Sequence, residues 1–182
     1  MKKNIPLILF LILLFTFIQV GQARCTVVLR MGFDQVVTGA ELIFEGRVIS
    51  QETRPSPVNG KPFTYFTFEI IEVIKGDFAQ PSIEIGFMGG QLGEFTLEVS
   101  EMQMPTLDER GIYFVESLSK QQVHPFIGWS QGHYLVETDE HTGQDVVIPM
   151  EEEVAEAKSL QLMHAPTVEA FKQTIEDVLE GR

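Results

Sequence analysis

The chain has 182 residues, 26 acidic against 13 basic, a formal charge of −13, and a single cysteine. That balance excludes nucleic acid as a natural partner, and one cysteine excludes a disulfide within the chain. Two lysines, an uncharged run "IPLILFLILLFTFIQV" and the small residues Gly21 to Ala23 open the sequence, in the order of a secretory leader.

Cleavage after Ala23 is expected, leaving residues 24–182 as one domain of ordinary size. Losing Lys2 and Lys3 takes the basic count from 13 to 11 against 26 acids, a formal charge of −15. The expected location is outside the cytoplasm, periplasmic or secreted, with no membrane span after cleavage. Cys25 lacks the small preceding residue of a lipidation site, because Arg24 stands there. It reads as a free thiol.

From Met31, Phe33, Val36, Val37 and Ala40 recur at helical spacing, predicting a short amphipathic helix. "ELIFEGRVIS" then alternates as a half-buried strand, with Leu42, Phe44, Gly46 and Val48 on one face and Glu45 and Arg47 on the other. "RPSPVNGKP" is a loop. "FTYFTFEIIEVIKGD" is a long strand with Phe66, Phe68 and Ile70 on one face and then Ile71 and Val73 on the other, a change of parity that predicts a β-bulge. "SIEIGF" and "EFTLEV" read as neighbouring strands around the glycine-rich "MGGQLG". "IYFVESL", "GHYLVETD" and "DVVIPM" complete seven strand candidates, too many for an α/β fold. From about residue 151 to 180 the pattern becomes helical. An acidic stretch comes first, then an amphipathic helix with Thr167 as N-cap, Gly181 as stop, and Val168, Phe171, Ile175, Val178 and Leu179 on its apolar face.

The expected class is mainly β with added helices, arranged as a closed or nearly closed barrel flanked by a short N-terminal helix and C-terminal helices. The sequence of "AELIFEGRV", "TYFTFEIIEVIKGD", a Gly-Gly loop, "LDERGIYFVESL", "GWSQGHYLVETD" and a terminal helix resembles exported bacterial proteins of the netrin-module and tissue-metalloproteinase-inhibitor type. The likeness runs from Leu42 to about Val136, with the terminal helix in addition. It implies an oligonucleotide/oligosaccharide-binding type of barrel and makes an exported metalloprotease a conceivable partner. In those inhibitors an N-terminal cysteine chelates the protease zinc and disulfides hold it in place. Here the expected first residue is Arg24 and no second cysteine exists, so inhibition does not carry over.

Residues with chemistry are sparse. Gly128 to Gly132, "GWSQG", matches the nucleophile-elbow pattern around Ser130, with Asp139 or Asp145 and then His164 in the required order. The strand-like sequence after it argues against a hydrolase. His124, His133, His141 and His164 show no metal-ligand spacing. No catalytic residue, metal or cofactor is expected. Phe126, Trp129 and Tyr134 either line a recognition surface or pack in the core, and Glu151, Glu152 and Glu153 form either a steering patch for a basic exported protein or a solvated helix face. The expected function is therefore a non-catalytic binding module, with metalloprotease inhibition and a Ser130 hydrolase as the alternatives.

Overall fold

The computed structural model describes residues 29–150 and 165–182. The leader, Cys25, Glu151, Glu152, Glu153 and His164 lie outside the described residues. The elements are α1 (Phe33–Gly39), β1 (Leu42–Pro55), β2 (Pro62–Lys75), β3 (Ser82–Met88), β4 (Gly90–Leu92) and β5 (Phe95–Leu97). There follow β6 (Arg110–Val115), a 3-10 turn (Trp129–Gly132), β7 (His133–Thr138), β8 (Asp145–Pro149) and α2 (Val168–Glu180). Six strands make one antiparallel sheet in the order β3-β2-β1-β6-β7-β8. No pairing among the described residues joins β3 to β8, so the sheet has two edges. None of the helices among those residues is long and apolar enough to cross a membrane.

Two apolar cores lie on opposite faces of this sheet. Ile43, Ile112, Phe114, Val136 and Val147 pack against α1 and α2 through Val36, Val37, Val168, Phe171 and Ile175. Leu42, Phe44, Val48, Phe66, Phe68, Ile85, Phe87, Tyr113 and Phe126 fill the other side. β6 and the Leu42–Gly46 part of β1 are thus covered on both faces. β1 was expected to be half-buried, but its burial is continuous from Leu42 to Gly46.

The bulge expected in β2 is present. Facing β1, the register skips Ile71 between Ile70 and Glu72, and skips Ile74 between Val73 and Lys75. Each skipped residue reverses the alternation, so Ile70 and Val73 both reach the aromatic core while Ile71 is exposed and Ile74 packs under the helices. Val73 therefore does not share a face with Ile71. β1 runs on to Pro55, and the loop begins only at Ser56, whose N–H donates to Lys61 O. The expected neighbours "SIEIGF" and "EFTLEV" are separated: β3 pairs with β2, whereas β5 pairs with the short β4 hidden in the glycine-rich segment.

The helices are held by specific polar contacts. Gly32 N–H donates to Gln35 Oε1 at 3.0 Å at the start of α1. At its end, Lys75 Nζ donates to the carbonyls of Val37, Thr38 and Ala40 at 2.9, 2.8 and 2.6 Å, meeting acceptors the helix cannot satisfy itself. Thr167 Oγ1 accepts from Ala170 N–H at 3.2 Å, and Gly181 closes α2 in the left-handed conformation. Leu179 lies at the margin of the apolar face and is exposed.

Candidate functional site

The residues singled out in sequence do not converge. Phe126 is fully buried against Phe68, Phe87 and Tyr113, which removes it from any surface. Tyr134 packs on Phe33, Phe114 and Phe171 beneath the helices. Trp129, with φ 59°, stacks on His124 at 5.4 Å. Ser130 sits in the 3-10 turn, and a strand follows it where an elbow needs a helix. The two nearest histidines are engaged elsewhere. His133 Nε2 donates to Glu109 Oε1 at 2.7 Å, while His124 lies between Gln103 O at 3.3 Å and Phe126 N–H at 3.2 Å.

His124 and His133 are interior residues, which spacing alone did not suggest. Burial pushes His124 down to about 4. Burial prevails over the Gln103 O contact, and the Phe126 N–H needs a lone pair on Nδ1, which the neutral ring supplies. Burial also pushes the Glu109 carboxyl up. The His133 bond and charge, the Thr106 N–H and the Tyr113 hydroxyl outweigh this and hold it below the ordinary value.

A second buried group crosses from the sheet to α2. Glu45, 1% exposed, receives Arg110 NH2 at 2.6 Å and Lys172 Nζ at 2.5 Å. Arg110 also meets Asp145 at 2.5 Å, and Lys172 meets Glu72. Burial opposes the charge on both cations, but these carboxylates prevail and raise both pKa values. Every carboxylate in the chain Asp145–Arg110–Glu45–Lys172–Glu72 has its cation, so the group is a cross-brace rather than a reactive site. No group of three histidine, cysteine or acidic side chains able to hold a metal occurs among the described residues.

The feature that can act on another molecule is the β3 edge. Ile70 N–H donates to Pro81 O and Gly89 N–H to Pro62 O, which fixes the phase of the β2/β3 ladder. Ile83, Ile85 and Phe87 therefore direct their main-chain groups to β2. Those of Ser82, Glu84, Gly86 and Met88 point outward. Met88 N–H is taken by Val123 O at 3.0 Å, so the open stretch is Ser82 to Gly86.

Along this stretch runs a groove of about 390 Å³ between β3 and the segment 117–125. Phe78, Ile83, Ile85, Val115 and Pro125 give it an apolar floor. Tyr65 and Glu84 form its outer side, with Arg54 in contact with both. Arg54 stacks on the Tyr65 ring at 3.7 Å and donates to Glu84 Oε2 at 2.9 Å. Gly86 is required here because a Cβ would come within 2.8 Å of the Tyr65 ring. Gln122 Oε1, a buried acceptor without a partner among the described residues, belongs to the same wall. No family model, curated protein or solved structure matches this chain.

Proposed function

We propose that the protein is an exported, non-catalytic binding module that takes an extended segment of another polypeptide onto the β3 edge by strand addition. The observation that carries this is the outward main chain of Glu84 and Gly86 beside an apolar groove. Unpaired strand groups match another extended backbone. The net charge favours a basic partner outside the cytoplasm. Netrin-type, oligosaccharide/oligonucleotide-binding-type relatedness is part of the same proposal, supported by the bulged long strands β1 and β2 and the terminal helix packed on one face.

The test is Glu84→Pro. Its N–H faces outward, so proline there removes no bond to β2, and it loses only the exposed ion pair to Arg54. Protein purified after expression of the full chain is panned against a displayed library of random nonapeptides. Enrichment on the wild type that disappears on a folded Glu84→Pro variant is expected. Equal enrichment on both, or none on either, refutes strand addition. A wild-type dimer in sedimentation that becomes a monomer in the variant would assign the edge to a second copy of this chain instead.

A further inference from the structure

Resting on the strand-addition reading, we infer that the β3 edge selects its partner by an alternating pattern: apolar residues opposite Ile83 and Ile85, and polar residues opposite Ser82, Glu84 and Gly86.

The argument follows from register. Residues directly opposite one another on neighbouring strands project to the same face of a sheet. Ile83 and Ile85 pair with Phe68 and Phe66, and all four turn into the aromatic core. A segment added outside β3 therefore sends its residues opposite Ile83 and Ile85 over the apolar floor, among Phe78, Val115 and Pro125. Its residues opposite Glu84 and Gly86 emerge on the other face. There they meet the Arg54–Glu84 ion pair and the Tyr65 ring, whose hydroxyl accepts from Gln121 at 3.4 Å. An apolar side chain there would bury charged groups without replacing their hydration. Shifting the register by one residue would exchange the two sets.

The length of the pattern is also bounded. At one end the Met88 N–H is already bonded to Val123 O. At the other, Pro81 precedes the strand and directs its carbonyl to Ile70. Five partner residues, polar-apolar-polar-apolar-polar, span what lies between. Lysines flanking that core suit the acidic chain.

Two amidated, acetylated heptapeptides of one composition test this: Lys-Thr-Val-Thr-Val-Thr-Lys, and Lys-Thr-Val-Val-Thr-Thr-Lys, whose valines would face opposite sides. Fluorescence anisotropy with the wild type, and sequencing of the enriched nonapeptide pool, are the readouts. The first peptide is expected to bind about tenfold tighter, since the second leaves one valine unburied, and the pool should show the same alternation. Equal affinities together with an enriched pool that lacks alternation but is lost on Glu84→Pro would overturn the pattern and leave strand addition standing. Enrichment that survives Glu84→Pro, or no enrichment at all, would remove both.

Discussion

Replacing Glu45 by glutamine isolates the brace between sheet and helix. Glutamine keeps the volume and one acceptor oxygen but removes the charge from a side chain 1% exposed, between cations 25% and 16% exposed. Removing one member of a buried pair costs about 3–5 kcal/mol, because the remaining charge stays desolvated. Here each cation keeps a second carboxylate, Asp145 for Arg110 and Glu72 for Lys172. The loss should therefore fall to about 2–3 kcal/mol, a large share of the ~5–15 kcal/mol typical of a domain. In urea, with a slope of about 2–3 kcal/mol/M, the midpoint should drop by about 1 M. Asp145→Asn, at the exposed end of the chain, should cost at most about 1 kcal/mol. A double-mutant cycle with Lys172→Met should give a coupling of about 1–3 kcal/mol. A loss below about 0.5 kcal/mol for Glu45→Gln, with no coupling, would mean that helix docking is purely apolar and the reasoning wrong.

Two further perturbations read other polar contacts. His124 titrates near 4 when folded against 6.5 as the ordinary value, so between these values the unfolded chain binds a proton that the native chain refuses. Stability should fall as pH drops from about 6.5 to about 4, by up to about 3 kcal/mol, and His124→Asn should flatten that window in urea titrations at each pH. Glu109, held below 4.5, adds stability that is present above that value and is lost as pH falls through its lowered folded value. Lys75→Met should destabilise by about 1–2 kcal/mol through loss of three carbonyl contacts, and faster amide exchange in α1 would report it.

Where periodicity and end signals acted alone, the sequence was sufficient. The spacing of Val36 and Val37 places α1, Thr167 and Gly181 bound α2, and the parity change at Ile70 and Ile71 marks a bulge. The candidate site was not legible, because it depends on which strand ends the sheet. Nothing in "SIEIGF" distinguishes an edge from a centre until β6 is known to pair with β1. Alternation puts Glu45 on a second face of β1 but does not show that a helix from residues 168–180 covers that face. An aromatic such as Phe126 suits a recognition surface and a core equally well in sequence, and its full burial assigns it to the core. Its ring packs on Phe68, Phe87 and Tyr113, three residues distant in sequence whose positions only the sheet pairing brings together.

Coverage of β6 and the Leu42–Gly46 part of β1 on both faces also bears on how the chain finds its pairing. In a strand with one wet face, a one-residue slip is punished by exposing every apolar side chain. In these two stretches a slip would largely trade one apolar set for another. Selection of the native alignment must come from the few positions that are not interchangeable. Gly46 faces Gly111 across the two strands, and Phe44 faces Tyr113. The Phe44 ring lies within 2.8 Å of where a Cβ on Gly46 would sit, and the Tyr113 ring within 2.9 Å of that on Gly111. Each aromatic thus lies over a glycine two residues away on its own strand. A Cβ on Gly46 or Gly111 would also come within 2.8 Å of Glu69 O or 2.5 Å of Tyr134 O on the neighbouring strand. A shifted pairing would set a side chain against those carbonyls and move Glu45 away from its cations. The glycines act as a vernier, marking the alignment that the apolar pattern leaves nearly degenerate.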